Sequence, residues 1–332
     1  VFNAVFAVTD DGVPFMKIFH GTDNANILRG TVLTLGVFDG LHLGHQRIME
    51  KVVTRAKEIG AVPTAITFDP HPRAVLHPEN APPLLQTLDQ RLANFAFLGI
   101  EQAIVIRFDK AFAAQDAETF LHDIVHERLQ AKEVYLGKGF FFGKNRGGNI
   151  ELLRKMSREL GFFADEVSEV TLRGTRISSS KIRNLLAEGK VNLVRRMLGR
   201  PYGVEGQIVH GFERGRTIGF PTANLKPNNR VIPKFGVYAT ATLINNEWRK
   251  SITNVGVRPT FEDEIAPSIE TFVFDFDGDL YGDVLRVRFL HRIRDERKFN
   301  GIEELKAQIE RDTKHALLYF KRQGVNNSLE II

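Results

Sequence analysis

The hydrophobic period of this chain changes once, near residue 200, and that change limits the folds open to it. Before it, continuous apolar runs alternate with amphipathic stretches. TVLTLGVF (31–38) has the unbroken apolar character of a strand covered on both faces. HQRIMEKVVTRAKEIG follows, with Ile48, Val52 and Ala56 at helical spacing and Gly60 as a stop. AVPTAITF (61–68) and QAIVIRF (102–108) predict two more strands, and KEVYLG (132–137) a fourth. DAETFLHDIVHERL (116–129) and IELLRKMSREL (150–160) predict helices between and after them. Such alternation predicts an α/β unit, a doubly wound parallel sheet with helices on both faces. Sheets of this kind bind ligands at the carboxyl ends of their strands, in the crevice where the strand order reverses.

After residue 200 the segments shorten and become β-rich: GVEGQIVHG, FGVYATATLI, EWRKSITNVG, IETFVFDF and DVLRVRFLH, separated by Gly, Pro and Asn-rich turns. They predict a small antiparallel β-barrel. A closing C-terminal helix over 302–323 carries Leu305, Ile309, Leu317 and Phe320. The 332 residues suit two domains. The expected division is a first domain over 16–186, a helical linker over 187–201 and a second domain over 202–325.

Composition removes several classes. There are no cysteines, hence no disulfide or thiolate zinc site, and a cytoplasmic protein is expected. No apolar run reaches 18 residues, so no membrane span is expected. VFNAVFAVTDDGVPF lacks a basic start and meets Asp10-Asp11 early, unlike a signal peptide. A net charge of +5 suits anionic small molecules as well as nucleic acid. The basic stretch Arg286 to Lys298 is interrupted by Asp295 and Glu296 and reads as a solvated face.

GVFDGLHLGHQ (Gly36 to Gln46) lies at the carboxyl end of the first strong strand. Two histidines three apart can be ordinary surface or core residues, and a zinc site would need a third ligand from afar. The alternative is a phosphate site. His45 would stand at a helix N-terminus, where free N–H groups favour anions, with Gly44 unobstructing and neutral imidazoles donating hydrogen bonds. ISSSKIR (Ile177 to Arg183) adds hydroxyls that can cap a helix or meet phosphate, and a guanidinium that can clamp it. Together these segments resemble the HxGH nucleotidyltransferase superfamily, in which the α-phosphate of ATP is attacked and pyrophosphate leaves. The resemblance implies that His42, His45 and Arg183 stabilise charge on phosphates, with Gly36, Phe38, Gly44, Ser178 and Ser179 around the nucleotide.

Two segments mimic other sites. Lys155-Met156-Ser157-Arg158 looks like the KMSKS signature of class I aminoacyl-tRNA synthetases, yet it falls inside an amphipathic helix. GKGFFFGKN (137–145) has Walker A spacing, with Lys138 where glycine is required and Asn145 in place of Ser or Thr.

In the second half, GRTIGFPTANL places Thr222 and Asn224 two residues apart, on one face of an extended segment, as hard oxygen ligands suited to Mg²⁺. In IETFVFDFDGDLYGD, Glu270 keeps period two with Phe272, Phe274 and Phe276, as a rim residue or a positioned base. With TNVGVRPTF (253–261) and RIRDERKF (292–299), these segments resemble the riboflavin kinase barrel. Preceded by the HxGH domain, the chain from about Met16 to Gln323 resembles the bifunctional bacterial FAD synthetases. Residues 1–15 fall outside the resemblance, and Met16 stands as its natural beginning.

That resemblance implies phosphorylation of riboflavin to FMN in the second domain and adenylyl transfer to FMN, giving FAD, in the first. It implies Glu270 as the kinase base and Thr222 and Asn224 as Mg²⁺ ligands. Gly215, Arg216 and Gly219 would lie over the phosphates, and Arg294, Glu296 and Phe299 on the flavin side. ATP is the expected co-substrate and Mg²⁺ the metal. Riboflavin, FMN and FAD are the substrates and products, with neither nucleic acid nor membrane as partner. Oligomeric state carries no signal. Three positions depart from the family pattern: Gly139 where Asp or Asn is common, Phe141 where a polar residue is frequent, and Val37 in place of the Asn of GNFDG. Gly139 motivates one alternative, a riboflavin kinase whose first domain binds nucleotide without turnover. A non-catalytic flavin or nucleotide carrier is the other.

Overall fold

The computed structural model describes residues 16–24, 26–209, 220–259, 265–276, 278 and 284–324. The chain forms two compact units. The first comprises residues up to Pro83 and Thr87–Ser178, and the second Leu84–Gln86 and Ser179 onward.

The first unit holds a six-stranded parallel sheet: β1 (Lys17–His20), β2 (Thr31–Leu35), β3 (Val62–Asp69), β4 (Gln102–Arg107), β5 (Glu133–Gly137) and β6 (Phe163–Val167). Their order is β1-β4-β3-β2-β5-β6. From β2 the chain winds outward one way through β3 and β4, then the other way through β5 and β6. The order therefore reverses between β2 and β5. β2 is buried at all five positions. Its Val32 packs with Met49, Val52 and Ala56 of helix α1 (Leu43–Ile59) and with Leu92 and Phe95 of helix Leu88–Phe97. Leu33 and Leu35 face the other side, toward Phe120, Leu121 and Leu153. That is the doubly wound arrangement the alternation predicts, and the unbroken apolar run follows from burial on both faces.

Local details differ from the sequence pattern. β2 stops at Leu35, because Phe38 and Leu41 adopt positive φ of 53° and 39°. The helix expected over 116–129 is π-helical from Phe120 to Arg128, with Leu129 N–H donating to Ile124 O at 3.0 Å. β1 carries too short a signal to be predicted. A small hairpin, β7 (Thr171–Leu172) and β8 (Thr175–Arg176), separates β6 from the helix Ser179–Ala187.

The second unit is a closed antiparallel barrel of β9 (Tyr202–Val209), β10 (Ala223–Pro227), β11 (Gly236–Ile244), β12 (Glu247–Pro259), β13 (Ile265–Val273) and β14 (Val284–Arg294). Its order is β10-β13-β12-β11-β14-β9. The interior is unusually rich in hydroxyls. Thr240 Oγ1 lies 2.7 Å from both Ser251 Oγ and Thr253 Oγ1, and Thr253 Oγ1 lies 2.9 Å from Thr271 Oγ1. Each hydroxyl is buried and satisfied by its neighbour, the condition under which such groups are tolerated. Outside the barrel, Val237, Ala239, Ile252 and Phe272 meet Ala316 and Phe320 of the helix Ile302–Arg322. Leu317, expected in the apolar stripe, is instead 46% exposed, and the buried line runs Asp312, Ala316, Phe320 at i,i+4 spacing.

Candidate functional site

In the first unit the loop after β2 becomes the start of α1, beside the sheet's switch point. His42 is the N-cap: its backbone is extended, and its ring Nδ1 accepts from His45 N–H at 3.3 Å. An imidazole that accepts at Nδ1 carries its proton on Nε2, so that edge is left as a donor. The rings of His42 and His45 stack at 3.7 Å with 17° between planes. Gly44 owes its identity to this pair, since a Cβ would lie 3.1 Å from His42 Cε1. Gly36 is similarly crowded, 3.1 Å from the Phe38 ring. Phe38, expected at the nucleotide, is buried, edge-on to both His45 and Phe95. Its ring braces the histidine pair from behind.

Arg91 is a buried brace of this loop that the sequence reading missed. It is 3% exposed, and donates NH1 to Val37 O at 2.7 Å and NH2 to Phe68 O at 3.3 Å. The arginine thus ties the loop after β2 to the end of β3. Burial pushes its guanidinium below the ordinary range, against the opposing pull of Asp69 and Asp39. A signal was available: Arg91 stands on the stripe Leu88, Leu92, Phe95, where helical spacing calls for an apolar side chain.

The loop after β5 begins on the other side of the switch point. Gly139 has φ of +71°, and space around it is open. Its N–H donates to Glu166 Oε1 of β6 at 3.0 Å. Phe141 is exposed and lies under Arg146, whose guanidinium carbon is 4.5 Å from the ring centroid. Neither mimic is a site. Met156 packs on the core and the Ser157 hydroxyl donates to Arg154 O inside helix Ile150–Leu160. Lys144–Arg146 is an isolated single turn rather than the start of a helix. Of the ISSSKIR cluster, Ser178 ends the first unit, while Ser179 and Arg183 belong to the helix that opens the second.

On the barrel the register brings the second set of candidates together. Asn224 of β10 and Asn254 of β12 are both direct partners of Glu270 on β13. Directly paired residues point to one face, so an amide flanks the carboxylate on each side. Thr222 precedes Asn224 by two residues, and the ring of Phe220 meets Phe272 edge-on at 5.3 Å, which holds this segment along β13. The aromatic period expected beyond Glu270 continues only to Phe272. β13 ends at Val273, Asp275 turns the chain with φ of 54°, and Phe274 is buried against Phe320. Thr222 and Asn224 supply neutral oxygens beside a carboxylate, a donor set that fits Mg²⁺ carried with phosphates.

The remaining predicted residues divide. Glu296 lies against the strand: a Cβ at Gly256 would be 2.1 Å from Glu296 Oε1 and 3.3 Å from Asn254 Nδ2. Arg294 is committed to the buried carboxylate of Asp312, with Nε and NH2 at 2.8 and 2.7 Å from Oδ2. Phe299 sits between Arg294 and Arg297, whose guanidinium carbons are 5.7 and 4.7 Å from its centroid. Gly215, Arg216 and Gly219 lie outside the described residues. Among the described residues, no three His, Asp or Glu side chains cluster as a metal site, and no helix is long and apolar enough to cross a membrane.

Comparison with known proteins follows the same division. Residues 24–181 match the family model described as FAD synthetase, and residues 198–320 that described as riboflavin kinase. Over 92% of this chain and 99% of the relative, it is 36% identical to a protein of Haemophilus influenzae named bifunctional riboflavin kinase/FMN adenylyltransferase. A protein of the same name from Bacillus subtilis is 37% identical over 92% of this chain and 98% of its own. The crystal structure of a protein named macrolide-efflux protein, from Streptococcus pneumoniae, superposes with a TM-score of 0.82 and 29% identity, covering 90% of this chain and 98% of that one. The efflux in that name belongs to that protein, and the likeness is one of fold. With relatives matched along nearly their whole length, and both motif sets in the same order, the chain belongs to the family of bifunctional riboflavin kinase/FMN adenylyltransferases.

Proposed function

We propose that the chain makes FMN on its barrel and FAD on its parallel-sheet unit, and that the residues placed above carry the two reactions. It is a transferase with both activities of its family. The observation that supports the residue assignment best is the register pairing of Asn224 with Glu270 in the barrel.

In the kinase reaction, the terminal ribityl hydroxyl of riboflavin attacks the γ-phosphorus of ATP. Its proton passes to Glu270, the new O–P bond forms, and the bond to the departing ADP breaks. Thr222 and Asn224 would hold Mg²⁺, which when bound spreads the charge of the phosphates. Glu270, set between two amides, needs little reorganisation to take the proton. In the second reaction a phosphate oxygen of FMN attacks the α-phosphorus of ATP and pyrophosphate leaves. No proton has to move for that bond exchange. His42 donates from Nε2, the N-terminus of α1 favours the anion, and His45 adds a donor, so that positioning and electrostatics supply the catalysis. ATP and free flavins as substrates are consistent with a cytoplasmic setting.

Purified protein incubated with riboflavin and Mg-ATP should yield FMN and then FAD when the flavins are separated. Glu270→Gln keeps the size of the side chain and cannot take the proton. It should lower kcat for phosphorylation on the order of 10²–10⁴-fold, with a much smaller change in KM for riboflavin, while supplied FMN is still converted to FAD. Near-normal phosphorylation by that variant would place the base elsewhere.

A further inference from the structure

Resting on the reading of Glu270 as the base, we propose that Ser268 is its positioning residue, the group that fixes which carboxylate oxygen meets the substrate. Ser268 lies two residues before Glu270 on β13, on the same face, and is 9% exposed. Its hydroxyl donates to Glu270 Oε1 at 3.1 Å. A serine hydroxyl has one proton to give, and giving it to Oε1 distinguishes that oxygen from Oε2, which does not receive it.

The surroundings make this bond specific. Ser268 is the direct register partner of Gly256 on β12, and Glu270 that of Asn254. Gly256 is the position over which the Glu296 carboxylate lies, where a Cβ would be 2.1 Å from Oε1. Ser268 therefore has one carboxylate over its cross-strand partner and donates to another, two residues on along its own strand. Without the hydroxyl, the Glu270 side chain has three rotatable bonds and loses the donor on its own strand that fixes them. The fraction of time spent in the productive rotamer falls, whereas the surface that binds riboflavin and ATP is left intact. A turnover defect with preserved affinity is the expected signature.

The test compares steady-state phosphorylation in five variants of the full chain. Ser268→Ala should lower kcat about 10-fold, the effect of one hydrogen bond to a charged group, and leave both KM values within about twofold. Ser268→Thr, which restores a hydroxyl, should recover kcat to within about threefold of the parent. Ser268→Val, the same shape without the hydroxyl, should not; this pair decides the matter even if the alanine variant folds poorly. In the Glu270→Gln background, Ser268→Ala should cause no further loss, because its target is gone. Equal losses in both backgrounds, equal activities of the Thr and Val variants, or unchanged kcat in Ser268→Ala would each overturn the proposal. Normal turnover in Glu270→Gln alone would instead overturn the assignment of the base on which it rests.

Discussion

At the residue scale, the HxGH segment shows chemistry and conformation imposing the same residues. Ser, Thr, Asp or Asn are the usual N-caps, so a histidine in that role is a departure. His42 satisfies an orphan N–H through Nδ1 and by doing so keeps Nε2–H as a donor. Gly44 leaves room for the ring, since a Cβ there would be 3.1 Å from His42 Cε1. Phe38 stands in the left-handed region, where an aromatic residue is strained, and is kept there by burial against Phe95. Gly139 is the contrary case. Its φ of +71° is one that Asn and Asp tolerate better than other side chains, and nothing lies within 4 Å of a built Cβ. Gly139→Asn should therefore fold normally, with thermal stability unchanged to within about 1 kcal/mol. If a polar side chain there helps to hold FMN, the variant should also lower KM for FMN in adenylyl transfer. Unaltered kinetics would dismiss Gly139 as a reason to expect a weak first site.

At the element scale, buried ion pairs fasten helices to sheets at places where apolar periodicity gives no warning. Asp312 interrupts the buried line of the C-terminal helix and receives Arg294 from the end of β14 and Gln308 from its own helix. Removing the carboxylate leaves a guanidinium facing an apolar interface, and breaking such pairs typically costs about 3–5 kcal/mol. Asp312→Ala should lower the unfolding free energy read from a denaturant titration by an amount in that range, reduced toward its lower end because the Arg294 side chain is 21% exposed. In the first unit, Glu133 of β5 accepts from Arg55 Nε at 3.0 Å and from the Tyr135 hydroxyl at 2.7 Å. Arg55 holds this carboxyl below the usual range, with burial working against it and Tyr135 assisting. A carboxyl depressed in the folded state stabilises fully above its unfolded value, about 4.3, and that contribution is lost as pH falls through the folded value. Urea midpoints measured from pH 7 to 3 should fall, and should fall less steeply in Glu133→Gln. Identical slopes would show that the pair does not contribute to acid sensitivity.

At the scale of the whole molecule, two units with separate cores divide the motif residues, the histidine pair falling in the first and Ser179, Arg183 and the barrel residues in the second. His45 belongs to the first unit and Glu270 to the second. His45→Ala should abolish FAD formation from FMN while riboflavin phosphorylation continues at its normal rate. Equal loss of both activities in a folded variant, judged by its circular dichroism, would refute separate active sites. The converse variant, Glu270→Gln, completes the cross. One feature of this scale escapes linear reading entirely. Leu84–Gln86 interrupts the first unit in sequence yet clusters with the second, where Tyr202 Oη and Asn229 Nδ2 both donate to Leu85 O, at 3.0 and 3.2 Å.

The sequence by itself determined the two architectures, because burial on both faces writes unbroken apolar runs and burial on one face of a barrel writes alternation. It also singled out the HxGH segment, the PTAN segment and Glu270 as candidates, because each is a short run of residues in order. Tertiary structure decided everything that depends on pairing between distant strands. Only register sets Asn224 and Asn254 on either side of Glu270, because strand pairing joins residues that no sequence period relates. Only packing turns Arg91 into a brace for the loop after β2 and Arg294 into the partner of Asp312. A charged side chain reads as solvent-facing until the fold supplies a buried acceptor, and that acceptor lies tens of residues away along the chain.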